Sequence, residues 1–436
     1  MQRCSVFLSG ALLVGSTASA LAQAKKASKP SPPSPAAIVK TAPAFEVDPM
    51  WPRPMPNHYI LGSATGVAVD SRDHVFVVNL TDSFNQRTES GLATNPPTGE
   101  CCAPAPNVVE YDAAGTLVGH FGGPGPGYNW PEQNAGIAVD DAGNVWIGAQ
   151  GGQDTRILKF SRDGKFIAQF GQAAAPIATQ ASRGPDTAYQ GVSPGRGGRG
   201  RGRAVTPALP ANSLSMDTFG GAAGFSFDTK ANEAFVADGM RNHRVAVLDM
   251  NTGAIKRMWG AYGNKPDDAA VPKSYDPSAA PAKQFGAPVM CAKLASDGLV
   301  YVCDTQNDRI QVFKKDGSFV KEKVIAPETR GTGSVWDVAF SRDPGQRYLY
   351  VADGMNMKVW VLDRESLDVL TSFGDGGRQP GQFYAVHSVA VDSKGNIYTV
   401  ETYEGKRVQK FNYKGIKSVT KTNEGVLWPI APRSKP

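Results

Sequence analysis

Histidine, cysteine and long apolar runs are all scarce in this chain, and each scarcity narrows the chemistry it can carry. There are five histidines and five cysteines among 436 residues. No Cys-x-x-Cys pair, His-Glu-x-x-His stretch, phosphate-binding glycine loop or Gly-x-Ser-x-Gly elbow is present, so the common nucleophilic and nucleotide chemistries lack support. Beyond the first two dozen residues no segment approaches the length of a spanning helix, so no membrane span is expected in the mature chain. The formal charge of +6 is modest and much of it sits near the N-terminus and in one Arg-Gly loop, which argues against a nucleic-acid partner. What is plentiful is turn chemistry. The 48 glycines and 32 prolines alongside 41% apolar residues point to many short strands, an all-β chain.

The N-terminus places Arg3 before an apolar stretch diluted with Ser and Gly, followed by the small-residue site Ala20-Leu21-Ala22. Residues 1–22 are therefore read as a cleaved secretory signal, and an exported protein, periplasmic or extracellular, is expected. Residues 23–44, rich in Lys, Ser, Pro and Ala, read as a disordered linker, leaving 45–430 as a single folded domain. Export permits disulfides. If Ser296-Asp297-Gly298 is a hairpin turn, Cys291 and Cys303 face each other across the strands and either form a disulfide or stay as two buried thiols. Adjacent Cys101 and Cys102 pair with each other or remain free.

One stretch, Asp297 to Val320, states a unit that recurs: an apolar run, a polar turn, a second run, a tight Asp-Gly turn and a third run. Its inner hairpin reappears as Gly66 to Val78, Gly136 to Gly148, Gly224 to Ala237, Cys291 to Cys303, Asp337 to Ala352 and Ser388 to Val400. Each is followed by an outer hairpin, the last expected over Val408 to Lys421. Small twisted sheets bury their faces only against neighbours, so the expected fold is a six-bladed β-propeller of four-stranded antiparallel blades.

The phrases VADGMRNHRVAVLD, VCDTQNDRIQVFKKDG, VADGMNMKVWVLD and VETYEGKRVQKFNYKG resemble NHL repeats. That resemblance covers roughly residues 60 to 420 and implies the propeller fold. It does not select an activity, because such propellers host enzymes and scaffolds alike. Within the repeat type the chain is distantly similar to peptidylglycine amidating lyases, which implies a zinc held by three His plus a Tyr and Arg residues. The Asp-Gly-Tyr phrase of those lyases stands here as Asp238-Gly239-Met240 and Asp353-Gly354-Met355, without the Tyr, and His58, His74, His120, His243 and His387 do not converge by repeat geometry. A similarity to gluconolactonase-like propellers implies instead a calcium held by oxygens of Glu401, Asp337 and Asn79, with His387 as proton carrier.

Repetition weighs against reading every polar residue as a site. Asp238 with Arg244, Asp304 with Arg309, Asp353 with Lys358 and Glu401 with Arg407 recur at nearly fixed spacing, which suits ion pairs that organise turns. The long departures, 79–107, 122–135, 171–221, 260–287 and 374–386, all fall in connections that reach one face of a propeller, so that face is expected to be elaborated for function. Loop 171–221 contains the Arg-Gly run with Arg196, Arg199, Arg201 and Arg203. Aligning the units places Thr65, Ala135, Gly224, Met290, Trp336 and His387 around the channel mouth.

Two readings follow. The first is a scaffold that binds a peptide, glycan or protein through the elaborated face and channel mouth, with Trp336, Asn79, Met290 and Tyr384 as contacts and Tyr128 and Trp130 as further aromatics. The second is a metal-assisted lyase or hydrolase with His387, Glu401 and Asp337 as catalytic groups and calcium or zinc held by His387 and Glu401.

Overall fold

The computed structural model describes residues 40–86, 88–172 and 207–429. The leader 1–22, linker residues 23–39 and the Arg-Gly run lie outside those residues. The described chain forms six four-stranded antiparallel sheets, the blades of a propeller. In blade four the second strand, Leu299–Asp304, is buried nearly throughout, while the outermost, Phe319–Val324, is exposed or half-buried. Inner strands covered on both faces therefore read as continuous apolar runs, and the outer ones are more polar.

The turns on one side are tight because their first residue caps them. Asp140 accepts backbone N–H groups of Ala142 at 3.1 Å and Asn144 at 2.8 Å. Asp392 does the same for Lys394 at 3.0 Å and Asn396 at 2.8 Å. The opposite side carries the long connections. There Tyr59–Ile60 pairs in parallel with Ala103–Pro104, and Lys406 reaches both Glu89 oxygens at 2.8 and 3.0 Å, tying the first long loop to the last blade.

The last blade corrects the expected hairpin over Val408 to Lys421. Arg407–Ser418 is one unbroken strand, and its outer partner is Thr41–Asp48, with Thr41 opposite Ser418 and Asp48 opposite Lys410. The reason is apolar patterning: Ala42, Phe45 and Val47 are buried, and the Phe45 ring lies 5.5 Å from both Tyr350 and Phe373 of blade five. Thr41 to Ala44 thus belong to the fold rather than to the linker. The ring closes by joining the N-terminal strand to the C-terminal blade. The tail beyond Ser418 then runs along the edge of Val369–Phe373, where Ser372 N donates to Thr422 O at 3.1 Å and Glu424 N to Ser372 O at 2.7 Å.

Blades meet closely at the centre. A Cβ on Gly66 would stand 2.9 Å from Ile137 N of the next blade, and one on Gly224 would stand 2.9 Å from Met290 O. At the same level, five innermost strands break register with a bulge, at Thr65, Ala135-Gly136, Ala223, Met290 and His387. A bulge re-aims a side chain and ends the ladder, so these residues line the mouth. In blade three both the bulged Ala223 and Gly224, expected there, line the mouth.

Candidate functional site

The second-strand acids of blades three, four and six prove to be anchors for the loop entering the blade. Asp238 accepts Gly220 N at 2.6 Å and Arg244 Nε at 2.7 Å. Asp304 accepts Gly286 N at 2.9 Å and Arg309 Nε at 2.7 Å. Glu401 accepts Tyr384 N at 2.8 Å, Arg407 Nε at 2.7 Å and Gln409 Nε2 at 2.7 Å. All three acids are fully buried. Burial raises the Asp304 and Glu401 carboxyls above their usual range, against the opposing pull of the arginines.

Three units depart from that scheme in instructive ways. Asn79 does the acid's work with an amide: its Oδ1 accepts Gly62 N at 3.0 Å, and its Nδ2 donates to Pro106 O at 2.8 Å and Asn107 O at 3.1 Å. Where blade two has Ala149, Asp154 substitutes, accepting N–H groups of Glu132, Gln133 and Gly151 at 3.0, 3.3 and 2.8 Å. Asp353 does not pair with Lys358 as expected. It takes the Asn356 side chain and Trp360 Nε1, each at 2.8 Å, because Lys358 lies over the Trp360 ring, 5.1 Å from its centre. Asn79 and Glu401 are thus buried and fully engaged within their own blades.

The channel mouth gathers Thr65, Met290, Trp336, Asp337 and His387, and the cavity between them is about 20 Å³. That is room for about one water molecule. Trp336, Met290 and His387 are 1%, 5% and 6% exposed, so the mouth is filled by its own side chains. His387 meets the Trp336 ring edge-on at 5.5 Å, and its Nδ1 is buried without a partner. Burial pushes the imidazole down to about 4, only partly opposed by Asp337 and the Thr65 backbone. Asp337 accepts Ser388 Oγ at 2.6 Å and lies 3.3 Å from Lys293 Nζ. Glu401 does not line this cavity, and no group of three or more His, Cys, Asp or Glu side chains is arranged to hold a metal among the described residues. The Glu401 carboxylate is instead taken up by Tyr384, Arg407 and Gln409.

The remaining candidates are distributed. Tyr384 is half-buried under Arg378, whose guanidinium sits 5.0 Å from the ring centre. Tyr128 and Trp130 pack on Phe160 at 5.1 and 6.0 Å, which makes them blade aromatics rather than face anchors. Cys291 and Cys303 stand opposite each other with Cα atoms 4.9 Å apart and are joined by a disulfide, and Cys101 is bonded to Cys102. Ser213, His243 and Asp268 meet on the elaborated face, but not as a nucleophilic triad. Ser213 is fully buried and its hydroxyl bonds the carboxylate, while His243 Nδ1 contacts the same Asp268 at 2.9 Å. The cluster joins two long loops.

The larger space lies elsewhere, in a groove of about 660 Å³ between blades one and two. Its walls include His74, Glu110, Val118, His120, Phe121 and Arg162. His74 Nδ1 is 2.6 Å from Glu110 Oε1, and Arg162 binds both Asp70 and Glu110. Burial works to raise Asp70, but Arg162 and the N–H groups of His74 and Arg72 outweigh it and hold the carboxyl below its usual range. Arg162 has counterparts: Lys315 reaches Asp228 at 2.8 Å and Arg364 reaches Asp297 at 2.7 Å, each linking one blade's turn to the preceding blade. His74 and Glu110 do not repeat. The sites corresponding to His74 in blades two and six hold Asn144 and Asn396, and the site of Glu110 holds Lys159 in blade two. Those departures were the available signal in the sequence, and they fall on the tight-turn side, away from the long loops.

Searches with protein-family models and among curated proteins find no match. Among solved structures, a streptogramin B lyase is similar at 12% identity and TM-score 0.43, covering 86% of this chain and 98% of that one. A virginiamycin B lyase from Staphylococcus aureus is similar at 11% identity and TM-score 0.42, covering 86% and 88%. The WD40 propeller domain of Doa1 is similar at 9% identity and TM-score 0.41, covering 80% and 78%.

Proposed function

We propose that this protein is an exported NHL-type propeller that binds a ligand, a peptide or a glycan, in the groove between blades one and two. The observation that carries the proposal is volume: about 660 Å³ in the groove against about 20 Å³ at the channel mouth. Small-ligand sites run from roughly 300 to 1,000 Å³. The leader-like N-terminus and the disulfides support export, because disulfides persist in oxidising compartments. Screening the purified protein on peptide and glycan arrays tests the reading, with Val118→Trp as a groove-filling control. Val118 is 51% exposed, so the larger ring projects into the groove without entering the core. Binding lost in Val118→Trp supports the groove. Binding kept there but lost in Met355→Glu, on the elaborated face, moves the site to that face.

A second reading, a metal-assisted lyase or hydrolase at the channel mouth, is favoured by one observation, the unpartnered Nδ1 of His387 beside Asp337. Metal analysis decides it. Stoichiometric zinc or calcium, lost in His387→Ala, supports that reading, and a metal-free protein indifferent to chelator removes it.

A further inference from the structure

Several of the groove's polar groups are already bonded within the protein. Arg162 is spent on Asp70 and Glu110, as its counterparts in other blades are spent on their own acids. Ser161 bonds Asp163, which also holds Lys165 at 2.7 Å, and Asn144 donates to Asp140 at 3.0 Å. Glu110 uses Oε1 for both His74 and Arg162, which leaves Oε2 with no hydrogen bond from the protein. A carboxylate oxygen accepts, so His74 Nδ1 is the donor of that bond, and the ring's Nε2 points away from Glu110. Glu110 keeps 11% of its side chain accessible and lines the groove, so Oε2 is reachable from it.

The walls complete the picture. Val118 and Phe121 supply apolar surface along the groove, while the exposed cation nearest the acids, Arg72, lies 3.7 Å from Asp70 and makes no contact with Glu110. An open carboxylate oxygen that repeats in no other blade, with the local guanidinium already paired, calls for a donor, and a charged donor gains most from a carboxylate. We infer that the groove takes a small molecule through a protonated amine that donates to Glu110 Oε2, with its carbon chain along Val118 and Phe121. This inference rests on the groove being the ligand site.

Isosteric probes separate the two ideas. Calorimetric titration of the full chain at mildly alkaline pH would compare 1,4-diaminobutane, 1,4-butanediol and succinate, which share a four-carbon chain and differ in end-group charge. The diamine is expected to bind at least about tenfold more tightly than the diol, a difference set by the charge-assisted hydrogen bond. Glu110→Gln and Val118→Lys should each weaken the diamine by about tenfold or more, the second by placing the protein's own ammonium in the groove. Val118→Lys leaves every ion pair intact, so an unchanged melting temperature shows that the loss is not misfolding. Tighter binding of the diol or succinate, abolished by the groove-filling Val118→Trp, overturns the amine and keeps the groove. Absence of binding by all three probes overturns the amine inference. Diamine binding indifferent to Val118→Lys overturns both the amine site and the groove.

Discussion

The channel mouth and the groove between blades one and two are built from the same repeat, yet one is filled and the other open. At the mouth, bulges turn Met290 and His387 inward and Trp336 packs beside them, leaving room for about one water. In the groove, the same framework of turn acid and reaching cation is interrupted by His74 and Glu110, and a large space remains. The difference shows that a ring of chemically suggestive residues can be architecture. Acids that recur are saturated by the loops they anchor, whereas the residues that depart from the repeat are the ones with unused valence.

The comparison predicts that changes at the centre move stability and changes in the groove move binding. The largest effect is expected from Arg309→Ala, which strands the buried carboxylate of Asp304 and should cost about 3 to 5 kcal/mol in denaturant unfolding, with ligand binding of the folded fraction unaltered. Replacing Cys291 and Cys303 together by Ala should cost about 3 kcal/mol, the entropy of a short closed loop, and a wild-type protein indifferent to reductant would break that expectation.

Next come two pH effects of opposite sign. His387 is held down from 6.5 to about 4, so the unfolded chain binds its proton first and stability falls as pH drops through that window. Asp308 is pushed up from 3.8 to about 7 by burial, with Asp353 and Asp304 adding to the rise, and its Oδ2 has no partner. The folded state therefore keeps a proton that the unfolded chain releases, and stability falls as pH rises from about 4 to about 7. Melting curves across pH should lose the acid-side decline in His387→Leu and the alkaline-side decline in Asp308→Asn. The smallest effect is expected from Val118→Lys, which should change stability by less than about 0.5 kcal/mol. A larger loss would mean that the groove wall is part of the core.

Much of the architecture was legible because it rests on local rules. Period-two runs and Asp-Gly turns mark the six blades, and the turn at Ser296-Asp297-Gly298 sets Cys291 opposite Cys303. Closure was not legible. The strand Thr41–Asp48 finds its partner more than 350 residues later, and nothing local in a Lys- and Pro-rich neighbourhood announces that pairing. The mouth was legible from the repeat in blade three, where Gly224 lines it beside the bulged Ala223. Asn79 and Glu401 looked like ligand oxygens because their saturation depends on backbone N–H groups of the loops around them, which side-chain patterning does not reveal. The groove depends on two blades meeting, so its residues, His74, Glu110 and Arg162, are scattered through the sequence.

The most direct measurement is a crystallographic soak with a library of small peptide, sugar and amine fragments, mapping where density accumulates. The account predicts occupancy along Val118, Phe121 and His74 and none displacing Met290, Trp336 or His387 at the channel mouth. Fragments seated at the mouth, with the groove empty, would contradict it.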